Sequence, residues 1–71
     1  MQELTKREQE VFDYVVQFRK NKRFSPSMRQ IALGVGLASV STVHHHVHSI
    51  TQKGWFLPYT GAPGSIIPTS E

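Results

Sequence analysis

Apolar side chains recur along this chain in three stripes with intervals of three and four residues, the spacing that places them on one face of an α-helix. The stripes comprise Val11, Phe12, Val15 and Phe18, then Met28, Ile31, Ala32 and Val35, and finally Val40, Val43, Val47 and Ile50. Because the opposite face of each segment is largely polar, each helix is expected to bury one side only. The pattern therefore predicts three amphipathic helices that pack together.

Sequence signals for helix ends surround these stripes. Thr5–Glu8 and Ser27–Gln30 each fit a capping box, in which the first and fourth residues satisfy each other's backbone donors at a helix start. Gly34 and Gly36 predict the end of the second helix and Gly54 that of the third, because glycine adopts the left-handed conformation of a helix C-terminus without steric cost. The first helix is expected to end near residue 20 or 21.

A β-hairpin is predicted after the third helix. Trp55–Leu57 and Ser65–Ile67 are β-prone segments separated by a turn region rich in glycine and proline. Pro58 and Pro68 confine the pairing to a short or edge arrangement. The order of helix, helix, tight turn, helix and hairpin predicts a mainly α fold with a small β-hairpin, the three-helix winged helix-turn-helix. We assign residues 1–68 to this domain and residues 69–71 to a frayed tail.

Composition narrows the class of function. The 71 residues include eight Lys and Arg against five Asp and Glu, with a net charge of +3 and a pI near 9.7, so a polyanion is a plausible partner. The sequence contains no cysteine, which excludes disulfide and thiol chemistry. Apolar runs are too short for a membrane span or a signal peptide, and we expect a cytoplasmic protein that does not bind membranes.

Four histidines occupy positions 44–46 and 48 of the predicted third helix. His44 and His48 are one turn apart and could share a metal ion, but no cysteine or nearby carboxylate completes a site. A serine nucleophile would need a base and an orienting group in a concave pocket, which so small a domain scarcely offers. The sequence therefore predicts no metal, no cofactor, no small-molecule substrate and no enzymatic activity.

DNA recognition accounts better for the polar face of the third helix. Serine, threonine and neutral histidine can reach base edges in the major groove, and a face without carboxylates avoids repulsion by phosphate. A solvated surface is the alternative, although lysine and glutamate would be expected there. His46 falls beside the apolar stripe, where packing explains it. Basic residues cluster around the connector before the second helix and in its first turn: Arg19, Lys20, Lys22, Arg23 and Arg29.

The segments "LTKREQEVFDYV" and "SPSMRQIALGVGLASVSTVHHHVHSITQKG" resemble the N-terminal winged helix-turn-helix domain of LexA-type SOS repressors, particularly those of Gram-positive bacteria. The resemblance covers about residues 3–60. Its most specific part is "GLAS-x-STVH-x-H" followed by "KG".

This resemblance implies sequence-specific binding to a palindromic double-stranded DNA operator and repression of transcription, with a recognition helix at about residues 40–52. The residues expected to read bases are Ser39, Ser41, Thr42, His44 and His45. Those expected at the flank of the site or at backbone phosphates are Lys6, Arg29, His46, His48 and Lys53.

Departures from the family pattern modify these expectations. LexA-type proteins continue into a self-cleaving domain that also dimerises, whereas this sequence ends at Glu71. We therefore expect no self-cleavage, and a chain that is monomeric or weakly dimeric and pairs on DNA or with another regulator. The predicted wing has no basic residue beyond Lys53. An alternative function is thus a winged-helix module that binds another regulator.

Overall fold

The computed structural model describes residues 2–62 and 64–69, which form three helices: α1 (Lys6–Lys22), α2 (Met28–Val35) and α3 (Val40–Gln52). The three predicted helices are confirmed. The described part of the chain contains no helix with the length and apolar character that crossing a bilayer requires.

The predicted capping boxes are present at both helix starts. The hydroxyl of Thr5 accepts from the backbone N–H of Glu8, whose carboxylate in turn accepts from the N–H of Thr5. Ser27 and Gln30 make the same reciprocal pair at the start of α2. These short-range bonds satisfy backbone donors that helix geometry leaves unpaired, so the sequence fixes both starts locally.

The end of α2 differs from the prediction in one respect. Gly36, with φ of 74°, is the left-handed C-cap, but Gly34 lies inside the helix. A Cβ atom at residue 34 would lie 2.1 Å from Cε1 of Tyr14, so the ring occupies the space that a side chain would need. The glycine at this position therefore permits close packing of α2 on α1 and does not end the helix.

The helical stripes and the segment after α3 meet in one hydrophobic core. Its buried members are Val11, Phe12, Val15, Met28, Ile31, Ala32, Val43, Val47, Ile50, Phe56 and Ile66. The ring of Phe12 lies edge-on to Trp55 at 5.4 Å between centroids and packs against Phe56 at 5.5 Å. Through these contacts α1 anchors the segment that follows α3.

The predicted hairpin is not confirmed as a pair of strands. The described residues contain one antiparallel bridge, between Phe56 and Pro68, flanked by hydrogen bonds from the N–H of Leu57 to the carbonyl of Ile67 and from the N–H of Thr69 to the carbonyl of Trp55. Because Phe56 and Pro68 form the non-hydrogen-bonded pair, the missing N–H of proline leaves the bridge intact. The returning segment is thus 67–69, two residues later than predicted.

The predicted frayed tail lies partly outside the described residues, which end at Thr69. Thr69 itself is held in place, because its N–H donates to Trp55 and its hydroxyl donates to the carbonyl of Gly54 at 2.9 Å. The division into a domain over residues 1–68 and a frayed tail over 69–71 stays a prediction, although Thr69 is hydrogen-bonded to the segment after α3. Ser70 and Glu71 lie outside the described residues.

Candidate nucleic-acid interface

The outer face of α3 carries the residues that the sequence analysis assigns to base reading. We use the name outer face for Ser41, Thr42, His44, His45 and His48 on α3, together with Ser39 at its N-cap. All six are exposed, whereas Val43, Val47 and Ile50 on the opposite side are at most 1% exposed. At 100° per residue, the outer face covers the half of the helix that points away from the core.

The hydroxyl groups of the outer face are not used by the protein itself. Ser39 precedes α3 without a side-chain capping bond. Within the described part of the chain, the hydroxyls of Ser41 and Thr42 likewise form no hydrogen bond with protein atoms. These three groups can therefore donate to or accept from an external ligand without first breaking a contact.

The four histidines have distinct surroundings. His44 lies edge-on to Tyr59, with 6.4 Å between ring centroids, and His45 lies at the same distance from His46, which is half-buried. The Nε2 of His48 lies 3.2 Å from Nε2 of Gln52. In residues 2–62 and 64–69, no three His, Cys, Asp or Glu side chains gather as metal ligands.

A buried carboxylate fixes α3 against the start of α1. Oε1 of Glu8 accepts from Nζ of Lys53, and Oε2 accepts from the hydroxyl of Ser49. Burial raises the pKa of Glu8, but hydrogen bonds from Lys53, Ser49 and Thr5 outweigh it and lower the pKa from 4.5 to about 2. Glu8 is thus ionised at neutral pH, and its carboxylate is bonded to Thr5 at the start of α1 and to Ser49 and Lys53 at the end of α3.

Two of the predicted phosphate-binding cations are exposed on helix starts. Lys6 is the first residue of α1, and Arg29 lies in the first turn of α2. Neither forms an ion pair with another described residue. The helix dipole favours anions at a helix start, so both cations add positive charge at positions where a phosphate is already favoured.

Lys53 has a different environment from the one that the sequence analysis expected. Its side chain is 18% exposed and its ammonium group binds Glu8. Sequence reasoning missed this pair, because the two residues are 45 positions apart and Glu8 was already explained by the capping box.

Tyr59 was also missed as a neighbour of the outer face. The available signal was an aromatic residue in a loop without charged residues. Its contact with His44 could not be predicted, because it depends on the position of the loop relative to α3.

These features define a class of protein. Helices α2 and α3 are joined by a tight turn over residues 36–39, and α3 presents a polar face opposite the core, so the chain is a helix-turn-helix domain with the geometry of a nucleic-acid-binding module. The chain belongs to the LexA DNA-binding domain family, since the family model described as the LexA DNA binding domain matches residues 1–63.

Similar proteins agree with this assignment. The LexA repressor of Staphylococcus epidermidis is 42% identical over 71 residues, which are 100% of this chain and 34% of the relative. The LexA repressor of Staphylococcus haemolyticus has the same identity and coverage. The LexA repressor of Staphylococcus aureus is 47% identical over 55 residues, which are 78% of this chain and 27% of the relative. The chain therefore spans about a third of the length of these relatives.

Proposed function

We propose that the chain is the sequence-specific DNA-binding module of a LexA-like transcriptional repressor and binds a palindromic duplex operator with α3 in the major groove. The observation that carries this proposal is the outer face of α3, which offers exposed hydroxyl and imidazole groups and no carboxylate. Its membership of the LexA DNA-binding domain family and its similarity to LexA repressors support the same conclusion.

Base reading is assigned to the N-terminal half of the outer face. Ser39, Ser41, Thr42, His44 and His45 are the residues of this set. Recognition helices of helix-turn-helix proteins approach base edges with their N-terminal residues, and short hydroxyl side chains there allow close approach of the backbone. Each of the five side chains is exposed and can form hydrogen bonds with base edges.

Backbone binding is assigned to cations and imidazoles around this half. Lys6 and Arg29 lie at helix starts, while His48 lies in the C-terminal half of the outer face and half-buried His46 lies beside it. Contacts of this kind fix the register of the protein on the duplex and do not by themselves read sequence. Lys53 belongs to the same set, because its ammonium group binds Glu8 and keeps further N–H donors for a phosphate oxygen.

A palindromic operator presents two identical half-sites, so the proposal implies that two copies of the chain bind one operator. Binding to an operator requires access to the chromosome, and the proposal therefore includes a cytoplasmic, nucleoid-associated location.

The experiment that tests the proposal starts from a library of duplexes with random central sequence, from which the 71-residue chain selects its ligands. We expect a palindromic motif to be enriched. Fluorescence anisotropy at several salt concentrations then compares the enriched duplex with a scrambled one. Roughly four phosphate contacts should give a log–log salt slope of about −3.6, and the scrambled duplex should bind more weakly. Absence of any enriched motif, from protein shown to be helical by circular dichroism, would contradict the proposal.

A further inference from the structure

The loop beside the outer face contains no charged residue. Between Gly54 and Ser70 the sequence has no Lys, Arg, Asp or Glu, so this part of the chain cannot form an ion pair with phosphate. Its remaining side-chain donors are the indole N–H of Trp55, which donates to the carbonyl of Gln2, and four hydroxyl groups, of which that of Thr69 donates to the carbonyl of Gly54. Thr60 uses its hydroxyl to accept from the N–H of Ala62, and Ser65 donates its own to the carbonyl of Ala62 at 2.8 Å.

The hydroxyl of Tyr59 differs from the other three because it forms no hydrogen bond within the described part of the chain. The residue is 37% exposed, so its hydroxyl can reach an external ligand. A phenol donates one strong hydrogen bond and needs no charge to bind a phosphate oxygen. Tyr59 can therefore contact a DNA backbone without giving up a hydrogen bond within the protein.

The ring of Tyr59 also meets the base-reading set directly. It lies edge-on to the imidazole of His44, with 6.4 Å between centroids and 66° between the ring planes, an arrangement typical of favourable aromatic pairs. Tyr59 also lines a small cavity with Pro26, Ser27 and Met28 at the start of α2. The residue thus neighbours both helices of the helix-turn-helix.

The loop position that makes this contact possible is fixed by the core. Phe56, three residues before Tyr59, is 2% exposed, and the N–H of Leu57 donates to the carbonyl of Ile67 at 2.8 Å. An exposed histidine on a helix otherwise samples several rotamers, and ordering such a side chain on binding lowers affinity. A ring held beside His44 removes part of that freedom before DNA arrives.

We propose that Tyr59 is a specificity-determining residue that positions His44 for base reading through its ring and donates its hydroxyl to a backbone phosphate of the operator. This inference rests on the proposed function, since it names a further residue of the same DNA-binding site. It assigns separate tasks to two parts of one side chain, and the hydroxyl can be removed without the ring.

The first test compares Tyr59→Phe with Tyr59→Leu in anisotropy titrations on the selected operator and on scrambled duplex. Loss of the hydroxyl alone should weaken binding to both duplexes by about threefold to tenfold, because phosphate contacts carry no sequence information. Loss of the ring should add a further reduction, about threefold or more, on the operator only. The matched control is Tyr14→Phe, which removes a hydroxyl from α1 and should leave both affinities unchanged.

The second test asks whether the ring acts through His44. In the His44→Ala background, Tyr59→Leu should weaken binding to the operator and to the scrambled duplex by the same factor. The side chain that the Tyr59 ring positions is then absent, so its loss cannot change the preference for the operator. Equal reductions in both backgrounds would overturn the positioning role.

A third measurement needs no DNA. The ring current of Tyr59 should shift the imidazole proton resonances of His44 in the free protein, and Tyr59→Leu should move them while Tyr14→Phe does not. Unmoved resonances would overturn the proposed positioning.

If the resonances move but the wild-type chain prefers no sequence, the proposed function fails and the DNA role of Tyr59 with it. If the wild-type chain prefers its operator and both Tyr59 variants bind like it, only the inference about Tyr59 fails.

Discussion

The Nζ of Lys53 lies 2.5 Å from Oε1 of Glu8, so the residue that ends α3 is bonded to the first turn of α1. The same carboxylate accepts from the hydroxyl of Ser49 and the N–H of Thr5. Glu8 is 5% exposed and is surrounded by partners that favour its ionised form. Because α3 carries the proposed base-reading groups, this one carboxylate links the stability of the domain to the orientation of its DNA-binding surface.

Breaking this pair from either side should destabilise the fold. Glu8→Gln leaves the ammonium of Lys53 without its counter-charge, and Lys53→Met leaves a buried carboxylate without its cation, so each should lower the free energy of unfolding by about 2–4 kcal/mol. The double variant should lose less than the sum of the two single losses. Urea unfolding followed by circular dichroism measures all three variants.

The exposed pair between Arg7 and Glu10 provides the control for this cycle. Because water screens both charges, Glu10→Gln should change the free energy of unfolding by less than about 1 kcal/mol. Strictly additive losses for the Glu8 and Lys53 variants would show that the contact does not stabilise the protein.

The same carboxylate predicts how stability depends on acid. The pKa of Glu8 is about 2 in the folded chain, against 4.5 for an ordinary glutamate, so the unfolded chain binds the proton more tightly. The stabilisation is therefore complete above about pH 4.5 and declines as pH falls through the folded pKa near 2. Its total is on the order of 3 kcal/mol. Urea unfolding at pH 6 and pH 3 should show a smaller acid loss for Glu8→Gln than for the wild-type chain, and equal losses would contradict the assigned pKa.

Local signals account for the parts of the fold that the sequence predicts correctly. Apolar spacing and capping boxes act within four residues, so the three helices and the starts of α1 and α2 follow from them. The exposed outer face of α3 follows from the same spacing. Features that depend on distant partners do not follow. Its residue type predicts that Gly34 ends a helix, but its role is set by the ring of Tyr14, twenty positions earlier, which occupies the space of a Cβ atom.

The wing shows the same limit. Its β-prone residues indicate pairing, but they do not give the register. The register depends on the burial of Phe56 and on the position of Pro68, which lies at a non-hydrogen-bonded site of the bridge where its missing N–H costs nothing. The contact between Tyr59 and His44 depends in turn on that register. Sequence spacing alone carries no information on either.

Gly34→Ala should lower the free energy of unfolding in the wild-type chain and raise it in a Tyr14→Ala background. In the wild-type chain, Gly34→Ala places a Cβ atom in the space of the Tyr14 ring and forces that ring to move, which should destabilise the domain. In a Tyr14→Ala background the space is vacant, and alanine should stabilise α2 by about 1 kcal/mol through its higher helix propensity. Thermal and urea unfolding of the four proteins measures the change. Stabilisation in both backgrounds would show that the ring yields at no cost.

Single truncations on the outer face should lower affinity for the operator selectively. Thr42→Ala or His45→Ala should cost about 1–3 kcal/mol of binding free energy on the selected operator and little on scrambled duplex, since a lost base contact affects only the sequence that it reads. Thr60→Ala, in the loop, is the control and should leave the preference for the operator unchanged. Equal losses on both duplexes would assign Thr42 and His45 to the backbone and not to base reading.

A pair of substitutions that adds the same charge at two places tests the orientation of the whole domain on DNA. His45→Glu places a carboxylate on the outer face, and Gln17→Glu places one at an exposed position of α1 about half a turn around the helix from Glu8, the residue that contacts α3. Net charge changes equally, so a difference in affinity reports how near each position lies to DNA, through charge repulsion and, at His45, through a lost hydrogen bond. His45→Glu should abolish detectable binding through repulsion and loss of a donor, whereas Gln17→Glu should weaken binding only slightly, and less so as salt screens it. Comparable losses from the two variants in anisotropy titrations would mean that α3 does not face the duplex.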